Sequence, residues 1–241
     1  MKNILFLGDG ALNGPACYLA GALKHSGFRV THFASGRAVS KSILKKKFGG
    51  IILSDFPFRE LSAPFLKWIQ ESVFFQGMGL LMIGGWASFN GIYGNYRGSE
   101  IEEILPVSCL PHDDRRNLAS GASIVPKRVA HPILRGLPFK PSPVMVGYNQ
   151  VKAKKKGQII LELRENESGR RNPLLVVGHY GIGKTAAFTT DAAPHWCGGL
   201  VDWGNKRLRI KIHSDIRIEV GNLYVQFLSQ LVNWLCGGNH R

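Results

Sequence analysis

Four short strand-like runs, three of them apolar and one, Phe28–Phe33, alternating, constrain this chain more than any other feature. They are Asn3–Leu7, Phe28–Phe33, Gly50–Ser54 and Leu80–Ile83. A strand buried on both faces has no polar side to show, so it reads as a continuous apolar run rather than an alternation. Helical stripes lie between the first two runs and between the last two. Asn13 is placed to cap a helix with Pro15 in its first turn, and Ala16, Leu19, Ala20 and Leu23 form a stripe that ends at Gly27. A second helix starts at Ser62 or Ala63 with Pro64 in its first turn, and Phe65, Trp68, Ile69 and Val73 line one face. Strands joined by helical crossovers make a mostly parallel, doubly wound α/β sheet.

The texture changes after residue 105. Proline and turn residues crowd Pro106 to Pro143, followed by β-like runs at Val144–Val151, Gln158–Leu163, Leu174–His179 and Thr185–Thr190. These predict β-hairpin additions in the C-terminal half. A last amphipathic helix carries Leu223, Phe227, Leu231, Trp234 and Leu235 and is closed by Gly237-Gly238. No linker stands out, so residues 1–241 are expected to form a single domain.

Composition excludes several classes. With 44% apolar and 20% charged residues the chain is not disordered. At 241 residues it can bury a sizeable core without staples. Its four scattered cysteines have no metal-ligand spacing, and free thiols suit a reducing compartment. Ile4–Leu7 is too short for an export signal, and uncharged Ser72–Tyr96 holds six glycines, a poor lipid-facing helix. The chain is therefore expected to be cytoplasmic, with no membrane contact. Its net charge of +15 is concentrated in residues 121–241, with 18 basic against 7 acidic side chains. The basic runs, Lys206–Lys211 among them, read as solvated loops open to non-specific polyanion contact, with no nucleic-acid-reading motif beside them.

Gly178–Thr185 satisfies the phosphate-binding pattern G-x-x-x-x-G-K-[ST], but a phosphate loop needs a helix behind it. Ala186–Asp191 is short and β-like, so Gly181-Ile182-Gly183 is expected to be a hairpin turn. Gly8-Asp9-Gly10 lacks the spacing and acidic partner of a dinucleotide site, although Asp9 at a strand end can face a ligand. More informative are Gly84–Gly91, a sharp turn with Trp86 and Ser88, and Asp191 with His195, a carboxylate four residues from an imidazole it can orient and charge.

Six blocks in order then resemble the glutamine amidotransferase-like proteins, over roughly residues 50 to 236. They are Ile83–Phe89, Glu102–Val107, Asp113-Asp114-Arg115, His131-Pro132-Ile133, Gly147-Tyr148-Asn149 and Asp191–Trp196. The resemblance implies a flavodoxin-like fold, with Gly49–Asp55 as the oxyanion-side strand and turn. It also implies that the elbow after Ile83 takes the place of the nucleophile elbow. Here the elbow holds no cysteine, and Trp196-Cys197 follows His195 where the family enzymes have proline and glutamate, so glutamine hydrolysis lacks its thiolate. The expected site binds a small polar ligand through Asp9, Asp55, Gly85, Trp86 and Trp196, with Ser88, His195 and Asp191 as its reactive or orienting groups and no cofactor or metal. The alternative is a hydrolase using Ser88 or Cys197 with His195 as base. His195 is expected within one hydrogen bond or one water of Ser88 or the elbow. An apolar patch of Phe56, Phe58, Phe74 and Phe75 would serve a homo-oligomer.

Overall fold

A computed structural model describes residues 1–212 and 215–237; Gly238, expected to help close the last helix, lies outside them. The N-terminal part runs β1 (Asn3–Gly8), α1 (Ala16–His25), β2 (Arg29–Phe33), β3 (Gly50–Ser54), α2 (Ala63–Gln76), β4 (Gly79–Ile83) and α3 (Glu100–Ile104). Five strands follow: β5 (Val107–Cys109), β6 (Arg115–Pro126), β7 (Val144–Asn149), β8 (Val151–Ala153) and β9 (Gln158–Glu165). The rest is β10 (Arg171–Tyr180), β11 (Gly183–Phe188), α4 (Pro194–Val201), β12 (Arg207–Lys211), β13 (Arg217–Gly221) and α5 (Asn222–Leu235).

Nine strands form one mixed sheet in the order β2-β1-β3-β4-β11-β10-β9-β6-β7. Its first five strands are parallel, and from β11 onward neighbours are antiparallel. The sheet is thus parallel from β2 to β11, with antiparallel strands added by the C-terminal half. β5 pairs with β8, and β12 with β13, outside it. The central strands are buried on both sides and alternate between two cores. Ile4, Phe6, Ile52, Leu81 and Ile83 face the side where α1 and α5 pack on each other. Leu5, Leu7, Ile51, Leu53, Leu80 and Met82 face the core that contains Phe65, Ile69 and Val73 of α2. Burying side chains of this size contributes about 1.5–3 kcal/mol each.

Four expectations need correction. The first helix begins at Ala16, not after Asn13: Asp9 and Gly10 turn the chain at positive φ, and a turn closed by Gly14 N–H to Ala11 O occupies the intervening residues. The basic run near Lys206 is not a loop. Arg207–Lys211 is a strand whose Ile210 is buried and whose Arg207 and Arg209 pair with Glu219. Strand β6 is absent from the sequence pattern, because its register breaks between Asn117 and Ala122 and the alternation breaks with it. Of the supposed apolar patch, Phe56 is buried and Phe58 partly so, which leaves Phe74 and Phe75 exposed beside Ile182.

The phosphate-loop match does form a hairpin. Tyr180 pairs with Gly183 across Gly181-Ile182, and Lys184 lies in β11 with its ammonium 5.1 Å from the Trp234 ring centre. No helix among the described residues is long and apolar enough to cross a membrane.

Candidate functional site

Parallel strands deliver their following residues to one edge of the sheet. Here β1 leads into Asp9, β3 into Asp55, β4 into the elbow Gly84-Gly85-Trp86, and β11 into Thr189-Thr190-Asp191. Asp9 and Asp55 both sit in the left-handed region, at φ 56° and 48°. Such backbone costs a non-glycine residue on the order of 1–3 kcal/mol and persists where the surroundings over-determine it.

The elbow is fixed from two sides. Asn149 clamps Gly85, accepting from its N–H at 2.8 Å and donating to its carbonyl at 3.1 Å. The same Asn149 amide donates to buried Asp114 at 2.7 Å, and Asp114 in turn accepts the N–H of Asn90 at 2.7 Å. Burial raises the Asp114 pKa to about 6. From the other side comes Asp55, whose Oδ1 accepts the Ala87 N–H at 2.6 Å while its own N–H donates to Ser88 Oγ at 3.0 Å. Gly85, at φ +155°, is the opening that admits this carboxylate, since a Cβ there would lie 2.3 Å from Asp55 Oδ1. Burial, with Asp191 adding, lifts the Asp55 pKa to about 6 against the opposing pull of the elbow amides and His195.

Asp191 stands at the approach to α4. Its Oδ1 accepts the N–H groups of Ala192 and Ala193 at 2.6 and 2.9 Å. Its Oδ2 lies 3.7 Å from His195 Nδ1, an ion-pair distance too long for a formed hydrogen bond. Asp191 holds the imidazole pKa above its ordinary value, with Asp55 contributing and burial opposing. The next residue, Trp196, donates its indole N–H to Asn117 Oδ1 at 2.9 Å. Its ring lies where a Cβ on Gly147 would sit 2.2 Å away, so only glycine fits there. Trp86 is 51% exposed, with the Arg115 guanidinium 4.5 Å from its ring centre and Arg115 itself anchored to Asp113.

These elements surround an open cavity of about 850 Å³. Asp55, Gly85, Trp86, Asp191, His195 and Trp196 line it, so six of the eight residues singled out in the sequence meet at one place. The other two do not. Asp9 is buried outside the cavity lining, and burial, with Asp191 and Asp55 adding, holds its pKa far above the usual carboxylate range. Its Oδ2 and the neighbouring Ser54 hydroxyl lack hydrogen bonds of good geometry among the described residues. Ser88 is 1% exposed, and no hydrogen bond joins it to His195 among the described residues. The supposed second nucleophile fares no better: Cys197 is buried, donates to Ala193 O at 3.1 Å, and burial pushes its thiol pKa far up. Neither Ser88 nor Cys197 lines the cavity. Among the described residues no cluster of His, Cys, Asp or Glu is arranged to hold a metal.

Asn117, Leu118, Ala119 and Val146 complete the lining and were missed in the sequence. Leu118 and Ala119 lie in the irregular stretch of β6, which no alternation marks. Val146 gave a weak signal, an apolar side chain on the outer face of its strand, 41% exposed.

A family model described as "Putative glutamine amidotransferase" matches residues 11–213. Among solved structures the chain is similar to the cytoplasmic protein STM3548 of Salmonella typhimurium, with 24% identity, 98% of this chain and 99% of that chain covered, and a TM-score of 0.77. The cytoplasmic protein STM1381 of Salmonella typhimurium LT2 is similar at 25% identity, with 97% and 99% covered and a TM-score of 0.76. No curated protein matches the chain.

Proposed function

We propose, since this chain belongs to the glutamine amidotransferase-like family, that it binds a small polar ligand at the carboxyl edge of its sheet and does not hydrolyse glutamine. The observation that carries this is the Asp55 carboxylate. In an amidotransferase the elbow presents a thiolate, and catalysis of acyl transfer needs free N–H donors for the oxyanion. Here the elbow carries Trp86-Ala87-Ser88, and an elbow amide, that of Ala87, is satisfied by the protein's own anion at 2.6 Å. A carboxylate so placed repels a developing oxyanion.

What is left is a cavity suited to recognition. Trp86 and Trp196 form its walls, Asp55 accepts, and His195, oriented by Asp191, donates. The same proposal takes residues 1–241 as one flavodoxin-like domain, supported by the parallel order β2-β1-β3-β4-β11. It also takes the chain to work in the cytoplasm, as the two Salmonella proteins do by description. The test is ammonia release from L-glutamine across pH 6–9. The expected result is no turnover above a protein-free blank. Turnover that disappears in Cys197→Ser or Ser88→Ala would overturn the proposal.

A further inference from the structure

Resting on the binding function proposed above, we infer that the ligand is a neutral, polyhydroxylated ring of the monosaccharide kind, stacked against Trp86 and hydrogen-bonded by Asp55, Asn117 and His195. The argument begins with charge. Three carboxylates converge on this edge, but their charges do not add. Burial, with the other two adding, holds the Asp9 pKa far above the usual carboxylate range. Asp191 turns one oxygen to the Ala192 and Ala193 amides and the other toward His195. The Asp55 pKa of about 6 leaves it ionised at neutral pH, where it accepts from the elbow and is partly balanced by His195. An anionic ligand meets the Asp55 and Asp191 carboxylates, while His195, the cation that lines the cavity with them, is already engaged by Asp191. A fixed cation meets His195, held toward its charged form, and finds Trp86 already carrying the Arg115 guanidinium 4.5 Å from its centre.

A neutral ligand rich in hydroxyls meets neither obstacle. Ionised carboxylates are acceptor-only groups, and a hydroxyl supplies the donor they lack. Asp55 Oδ2 takes no part in the elbow bond made by Oδ1. Asn117 uses its oxygen on the Trp196 indole, which leaves its NH₂ as a donor. Hydroxyls both donate and accept, so a sugar ring can satisfy Asp55 and Asn117 together. The C–H face of such a ring is apolar and needs a flat apolar wall. The stacking uses the face of Trp86 that Arg115 leaves uncovered, and Leu118, Ala119 and Val146 extend the apolar lining. At about 850 Å³ the cavity lies in the range of small-molecule sites and exceeds what a single ion needs.

The experiment is a tryptophan-fluorescence titration of the full chain with neutral aldohexoses and aldopentoses, choline, L-glutamine and inorganic phosphate, each to about 100 mM, a range that reaches millimolar affinities and weaker. The expected result is saturable quenching by at least one neutral sugar, weakened about tenfold or more in Asp55→Asn and, read by calorimetry because this variant lacks the stacked fluorophore, in Trp86→Ala. Trp86 is half exposed, so its truncation leaves the core intact, and far-ultraviolet circular dichroism checks that both variants are folded. Saturation by choline, glutamine or phosphate but by no sugar, lost in Trp86→Ala, would overturn the inference and leave the binding cavity standing. Sugar binding that neither variant weakens would overturn both the inference and the cavity as the binding site. A panel in which nothing saturates would overturn the inference.

Discussion

Replacing Asp55 by asparagine should make the protein less sensitive to pH, and the size of the change follows from the site. The Asp55 pKa is lifted from 3.8 to about 6 in the folded chain. A carboxyl with a raised folded pKa binds its proton more tightly when folded, so it weakens stability as pH rises. Its penalty is absent below the unfolded pKa, grows between about pH 4 and 6, and is complete above the folded pKa. The displacement of about two units corresponds to about 3 kcal/mol, at about 1.4 kcal/mol per unit. Roughly half of it has accumulated by pH 5. Asp55→Asn removes the titration but keeps the shape, at the cost of the charge assistance in the Ala87 bond, about 1 kcal/mol. Urea unfolding of both proteins at pH 4, 5, 6 and 7.5 measures the difference. Asp114 titrates in both proteins and cancels to first order, whereas Asp9 and His195, both raised by Asp55, shift in the variant and contribute to the measured gap. The expected outcome is a gap that moves in favour of the variant by about 2.5 kcal/mol from pH 4 to 7.5 and leaves it the more stable protein at neutral pH. A gap that stays constant across this range would refute the reasoning, because it would mean that Asp55 is not held out of water by the elbow.

Other expectations bear on the same edge. Gly85→Ala puts a Cβ 2.3 Å from Asp55 Oδ1 at φ +155°, so it should lower stability by about 3 kcal/mol or more, read by urea unfolding. Asn149→Ala removes the clamp on Gly85 and leaves Asp114 without one of its two donors. A loss of about 2–4 kcal/mol is expected, with altered Trp86 emission as the elbow loosens. Lys184 sits in a strand over Trp234, so calorimetry should find no tight, magnesium-dependent ATP or GTP binding in either the native chain or Lys184→Ala.

The strands that build the site were legible because they are buried on both faces. Gly50–Ser54 has the bounds expected of it, and β1 and β4 differ by one residue each. Once parallel strands are placed, their carboxyl ends must share an edge, and that is how Trp86 and His195, distant in sequence, were expected together. Legibility fails where tertiary contacts decide. Ser88 reads as a hydroxyl on an exposed turn, yet the turn folds inward and spends Ser88 Oγ on the Asp55 amide. The bulged part of β6 gives the cavity Leu118 and Ala119, but an irregular strand carries no period to read. Asn149 and Asp114 stood in recognisable blocks, but their part as the clamp behind Gly85 depends on a contact 64 residues apart along the chain.

The central claim, a ligand held between Trp86 and Trp196, is tested most directly by native mass spectrometry of the freshly purified chain beside its Trp86→Ala variant. The expected spectrum carries a small-molecule adduct on the 26.6 kDa protein that is lost on denaturation and missing from the variant. A bare native protein, or an adduct that the variant retains in full, would contradict the claim.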